Sequence, residues 1–169
     1  MTVQHRTATA TDAERVAALF HRCFCDTFGH LYDPRDLAAF LDGHSAAHWK
    51  DQLDDSESAI RLVEDDDRLI GFANFGSLRL PVELPGNALE LRQLYVLEPW
   101  HGSGVARDLM DWLLAEARRR GADHLYLAVY TDNHRARRFY AGYGFEVVGP
   151  YAFMVGNQAD DDIIMRLTL

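Results

Sequence analysis

Cysteine is nearly absent. Cys23 and Cys25 are the only two, one residue apart in HRCFCD. Such a pair gives no disulfide framework and reads as reduced packing thiols in a reducing compartment. Long apolar runs are missing too, and none nears the roughly 20 residues of a membrane helix. The N-terminal stretch MTVQHRTATATDAERV has no apolar signal core, so the expected location is cytoplasmic, without a membrane partner. Positive charge is short, with 17 Lys and Arg against 26 Asp and Glu, a net charge of −9. That balance argues against nucleic acid as a partner and suits a cationic substrate. Repeats, low-complexity tracts and long linkers are also lacking. The 169 residues, 48% hydrophobic and 25% charged, read as one domain over 1–169 with a substantial core. His44 and His48 in HSAAH have metal-ligand spacing but no Glu between them and no third ligand. They read as surface histidines, and no metal is expected.

What is present is a regular alternation of strand and helix patterns. Val3 to Ala8 reads as a short strand. Thr11-Asp12-Ala13-Glu14 has capping-box spacing and opens a helix that turns Val16, Leu19, Phe20 and Phe24 inward. Pro34, with Asp36 nearby, marks a second helix start. Ala59 to Glu64 and Leu69 to Leu78 read as strands around Asp65-Asp66-Asp67, a solvated hairpin tip. Pro81 to Asn87 is a loop. Ala88 to Leu97 is a strand with a slip in phase: Leu89 and Leu91 are odd, Gln93 interrupts, and Leu94 and Val96 are even. A one-residue slip of this kind marks a β-bulge. Ser103 to Arg120 is a helix stopped by Gly121, Leu125 to Tyr130 a strand, and Asn133 to Tyr143 a short helix stopped by Gly144. Phe145 to Phe153 and Ile163 to Leu169 close the chain as strands. The fold class is α/β: a mixed, mostly antiparallel twisted sheet flanked by helices, with a parallel strand pair around the central strand-helix-strand unit.

The turn His101-Gly102-Ser103-Gly104-Val105-Ala106 joins strand to helix. Backbone amides converging at a helix N-terminus favour a phosphate, and glycines let the oxygens approach closely. No Lys follows, which excludes a Walker A loop, and Arg107 stands where a dinucleotide fingerprint needs its third glycine. The remaining pattern, Q/R-x-x-G-x-G/A, resembles motif A of the GNAT superfamily of acyl-CoA-dependent N-acyltransferases. Gly104 and Ala106 fill its last two positions, while His101 stands in place of the usual Gln or Arg. Asn133-His134-Arg135-Ala136-Arg137-Arg138-Phe139-Tyr140, followed by Gly144-Phe145-Glu146, resembles motif B, at the family's spacing. The C-terminal run YAFMVGNQADDDIIMRLTL is similar to the tail of bacterial spermidine/spermine N-acetyltransferases within that superfamily.

The resemblance implies a GNAT-like sheet whose central parallel pair is splayed. It implies acetyl-CoA as co-substrate, with the pyrophosphate on the amides of Gly102, Ser103, Gly104, Val105 and Ala106, near His101. Leu94, Tyr95 and Val96 would offer the backbone amide that polarises the thioester carbonyl, worth ~3 kcal/mol in comparable acyl transfers. Tyr140 matches the tyrosine that protonates the leaving thiolate, though a helix tyrosine in a core has the same pattern. Asn133 would face the pantetheine or cap its helix. Of Arg107, Arg135, Arg137 and Arg138 near the two helix starts, one or two, with Arg107 and Arg137 chosen, are expected on the cofactor phosphates and the others as solvated helix charges. Glu90 is a candidate base, or a sheet glutamate paired with Arg92 or a neighbouring strand; His124 and Tyr130 are weaker candidates. The acceptor pocket would come from the N-terminal helices, with Phe28 and Tyr32 lining it beside Phe24, His30, Leu31 or Trp49, although the same residues suit a core. A polyamine cation fits the acidic balance and Asp160, Asp161 and Asp162. The implied activity is acetyl transfer to a primary amine of a small molecule. Transfer to protein or peptide amines, and a non-catalytic acyl-CoA-binding regulatory domain, are the alternatives. A homodimer is compatible with the sequence, which does not decide it.

Overall fold

A seven-stranded sheet in the order β1-β2-β3-β4-β5-β7-β6 forms the frame. The computed structural model describes residues 3–83 and 86–169. Two residues of the expected 81–87 loop, 84 and 85, lie outside the described residues. The strands are β1 (Val3–Thr7), β2 (Ala59–Asp65), β3 (Arg68–Ser77), β4 (Ala88–Val96), β5 (His124–Tyr130), β6 (Glu146–Val155) and β7 (Gln158–Thr168). The helices are α1 (Ala13–Phe28), α2 (Pro34–Asp42), α3 (Ala46–Asp54), α4 (Val105–Arg119) and α5 (His134–Gly142). All neighbouring strands run antiparallel except β4 and β5, which α4 connects as a parallel pair.

The helices cover both faces. β3 is buried from Leu69 to Gly76 on both sides, the pattern of a strand sandwiched between layers. Phe72 meets Trp49 of α3 edge-on, while Phe75 meets Trp112 of α4. α5 joins α4 on the second face, where Tyr140, Leu113 and Leu127 share one apolar cluster. The sequence reads one helix after Pro34; the chain forms two, because Gly43 ends α2 and Ser45 caps α3 by accepting from the His48 amide (3.4 Å).

The entry to α1 differs from the Thr11–Glu14 capping box. Thr9 is the cap of a short 3₁₀ turn, and its amide donates to the Asp12 carboxylate at 2.8 Å. Asp12 also takes a bidentate pair from Arg6 at 2.7 and 2.8 Å, and Arg6 forks onward to Glu64. The capping box is thus Thr9 with Asp12, two residues upstream of the expected one, and Asp12, the residue at the N-cap of α1, serves the turn and Arg6 together. The Arg6 guanidinium holds the Asp12 carboxyl down at about 2. A folded-state value depressed below the ordinary 3.8 adds stability that is present above 3.8 and lost as pH falls toward about 2. Asp12→Ala is expected to cost about 2 kcal/mol at pH 7, since it removes the bidentate pair to Arg6 and the cap on the Thr9 amide and leaves Arg6 with Glu64 alone. Urea unfolding should show the gap to wild type closing as the pH is lowered through that window.

His44 and His48 are not surface histidines. They are half-buried in an aromatic cluster, with His44 stacked on Phe20 (centroids 4.8 Å apart) and His48 edge-on to Trp49 (5.5 Å). Burial lowers the pKa of both. Cys23 is buried and Cys25 half-buried, both free. Burial pushes the Cys23 thiol up to about 12, as expected of an inert packing group. No helix among the described residues is long and apolar enough to cross a membrane.

Candidate active site

The β4–β5 ladder is short. It pairs Ala88 with His124, Leu89 with Leu125 and Glu90 with Tyr126, and then stops. Beyond Glu90 the strands diverge, so the β5-facing edge of β4 carries backbone groups without a strand partner, free to bond a guest. The expected bulge is the cause. Asn74 of β3 pairs with Gln93 and Phe75 with Leu91, which leaves Arg92 as the extra residue. The slip turns Leu89 and Leu91 toward α4 and, four residues after Leu91, puts Tyr95 against Phe20 and Phe72 on the α1 face. Arg92 itself is held by Gln52, Ser58 and Ser77.

The gap opens into a cavity of about 750 Å³ that runs across the sheet. At one end sits the glycine turn. Gly102 and Gly104 have φ of +75° and +98°, which only glycine adopts without strain, and no atom lies within 4 Å of where a Cβ would be. The first in-helix bond of α4 runs from the Asp108 amide to the Gly104 carbonyl (3.0 Å). The amides of Val105, Ala106 and Arg107 precede it and are free at the positive end of the helix. Val105 is buried beneath the turn, and the Ser103 hydroxyl is turned back onto the Trp100 carbonyl. Val105 can meet a ligand only through its backbone, and Ser103 only by giving up the bond its amide makes to the Trp100 carbonyl (3.2 Å). Gly102, Gly104, Ala106 and Arg107 line the cavity, as do Leu94, Tyr95 and Val96.

His101, the departure from the family pattern, is a brace. Its Nε2 donates to the Val96 carbonyl at 2.7 Å, and its Nδ1 accepts from the Arg135 guanidinium. These two partners select one neutral tautomer. The side chain thus ties the turn to the end of β4 and to the start of α5. Arg135 lines the cavity, whereas Arg137, picked from the sequence, donates to the Thr131 carbonyl (2.8 Å) and braces the turn before α5. Asn133 lines the cavity and also caps α5, accepting from the Ala136 amide (3.3 Å).

Tyr140 is buried on α5, edge-on to Phe145, with its side chain at the cavity wall. Burial pushes its phenol well above the ordinary value, so it stays protonated and able to donate. Glu90 also reaches the cavity, yet it is pinned. Its Oε2 accepts from the Arg79 and Leu80 amides at 2.7 and 3.1 Å, so its partners are backbone amides rather than Arg92.

The far end is acidic and aromatic. Phe28 and Tyr32 line it, and Phe28 meets Tyr130 edge-on. His30 is exposed, and Trp49 is fully buried in the core. The Tyr32 hydroxyl donates to Asp160. Asp160 and Asp162 are buried because β7 starts at Gln158, five residues before the strand read from the sequence. The signal was there: Asp160, Asp162 and Ile164 fall on one phase of a strand, and the structure buries all three. Three successive aspartates hid it, since such a run reads as loop.

The sequence profile of the acetyltransferase (GNAT) family matches residues 14–145. An uncharacterised N-acetyltransferase of Mycobacterium tuberculosis is 34% identical over 156 residues, covering 92% of this chain and 96% of that one. The aminoalkylphosphonate N-acetyltransferase of Salmonella typhimurium is 30% identical over 143 residues, 83% of each chain. Among solved structures, the PaiA N-acetyltransferase of Thermoplasma acidophilum in complex with coenzyme A superposes with a TM-score of 0.80 at 18% identity, over 100% of both chains. The glycine turn, the splayed strands and these relatives agree: the chain belongs to the GNAT acetyltransferase family and is an N-acetyltransferase that uses coenzyme A.

Proposed function

We propose that the protein transfers the acetyl group of acetyl-CoA directly to a primary amine of a small molecule that carries further positive charge, of the polyamine type. The observation that carries this reading is the polarity of the cavity. Arg107 and Arg135 lie at the glycine turn, with Glu98 just before it, while Asp26, Glu90, Asp160 and Asp162 line the cavity elsewhere and outnumber Arg92, whose guanidinium is held by Gln52, Ser58 and Ser77. The first end suits a pyrophosphate. The acidic side, walled by Phe28, Tyr130 and Tyr151, suits an alkyl chain bearing ammonium groups.

In this reading the amides of Gly102 to Arg107 hold the pyrophosphate, and Asn133 meets the pantetheine arm in the gap between β4 and β5. A free amide on Leu94 to Val96 stabilises the thioester oxygen as it becomes an oxyanion. Tyr140 gives its proton to the departing thiolate, so the phenol's high pKa keeps it in the right form over any practical pH range.

A thiol-release assay with acetyl-CoA and an amine panel tests the substrate class. Spermidine and spermine should turn over at least ~10-fold faster, in kcat/KM, than an aminoalkylphosphonate, whose anion would meet the carboxylates, or than a short peptide. Faster release with the phosphonate or the peptide, or none with any amine, would overturn the reading.

A further inference from the structure

One buried carboxylate in the cavity has no structural employment. Asp162 is 8% exposed, and its remaining exposure faces the cavity. Among the described residues it makes no hydrogen bond or ion pair. Glu90, by contrast, spends an oxygen on two amides, and Asp160 is engaged by Tyr32 and by Gln158. The register explains the placement. Asp162 lies opposite Tyr130 of β5 and Tyr151 of β6, just where β5 has parted from β4. Asp162, Tyr140 and the half-buried Tyr95 line the same cavity, and the Asp162 charge helps raise the Tyr95 phenol above its ordinary value. Asp162 and Tyr140 therefore share this cavity with the residue whose strand edge would polarise the thioester.

We propose that Asp162 is the catalytic group that binds the reacting ammonium of the acceptor and takes its first proton, while Glu90 braces the connection between β3 and β4. This rests on the amine-acetylation reading above. The step balances as follows. An N–H proton of the ammonium passes to the Asp162 carboxylate. The freed lone pair forms the N–C bond to the thioester carbonyl, and the C–S bond breaks. The thiolate takes the Tyr140 proton, the second amine proton returns to the phenolate, and Asp162 releases its proton to solvent.

The surroundings suit that task. The charged and titratable groups around Asp162 are Asp160 and Asp161 on its own strand, Tyr130 on β5, Tyr151 on β6, Tyr95 and Glu90 on β4, and Tyr32 and Asp26 from the α1 side. None is cationic. Burial, then the charges of Asp160 and Asp161, lift the Asp162 carboxyl to about 7, near the optimum for a base working at neutral pH.

The test is the pH profile of kcat/KM for a polyamine acceptor, which reports groups of the free enzyme. Wild type should show an acid limb near pH 7, with activity rising as Asp162 loses its proton. Asp162→Asn, nearly isosteric, should lower kcat/KM about 100-fold and abolish that limb, with melting temperature and acetyl-CoA affinity unchanged. Asp160→Asn should move the limb to lower pH by removing a neighbouring charge. Glu90→Gln should keep the limb. If Asp162→Asn keeps both rate and limb while wild type acetylates the amine, the assignment falls and the acetylation reading stands. If wild type acetylates no amine at all, both fall.

Discussion

Tyr140→Phe slows turnover about 100-fold and leaves acetyl-CoA affinity within about twofold. The removed atom is a hydroxyl at the wall of the cavity, while the ring stays packed against Phe139 and Phe145. Stability should therefore change little. Without the phenol, the thiolate must leave unprotonated or wait for water. The loss should consequently shrink with a thioester whose thiol is more acidic than that of CoA. Stopped-flow thiol release with both donors, beside calorimetry of acetyl-CoA binding, separates an acid from a packing residue. Equal rates for variant and wild type would remove Tyr140 from the reaction.

Gly104→Glu weakens acetyl-CoA binding at least about 100-fold. Two effects add. A residue other than glycine at φ +98° costs about 1–2 kcal/mol in a left-handed conformation. The new carboxylate also points into the open space above the turn, where the pyrophosphate would lie, and like charges there cost more than the strain. Gly104→Ala carries the strain without the charge and should fall between the two. Calorimetric titration of the three proteins measures the ladder. Equal affinity in all three would place the nucleotide elsewhere.

The parts of the fold that were legible in the sequence are those where one local rule acts alone. The slip between Leu91 and Leu94 located the bulge, and the glycine turn located the start of α4, because each is a period or a φ requirement written in neighbouring residues. The errors arose where a tertiary partner decides. Thr9 rather than Thr11 caps the turn that leads into α1, with Asp12 closing the box while it also answers Arg6 on β1. His44 and His48 read as solvated and are packed, since α2 and α3 fold them onto Phe20 and Trp49. At the site, Tyr140 and the turn could be named from motif spacing. Arg135 could not be preferred over Arg137, because which arginine faces the cavity depends on the Thr131 carbonyl that takes the other. Asp162 was visible only as part of an acidic run; its burial follows from a strand that continues through three aspartates to pair with both β5 and β6.

The central claim is that the gap between β4 and β5 carries the acyl donor from an anion-binding turn to an acidic acceptor end. A crystal structure with CoA and a polyamine bound tests it most directly. The expected result is the pyrophosphate on the amides of Gly102 to Arg107, the pantetheine arm alongside Leu94 to Val96, its sulfur next to Tyr140, and an ammonium on Asp162. CoA bound outside the gap, or an amine bound away from Asp160 and Asp162, would contradict it.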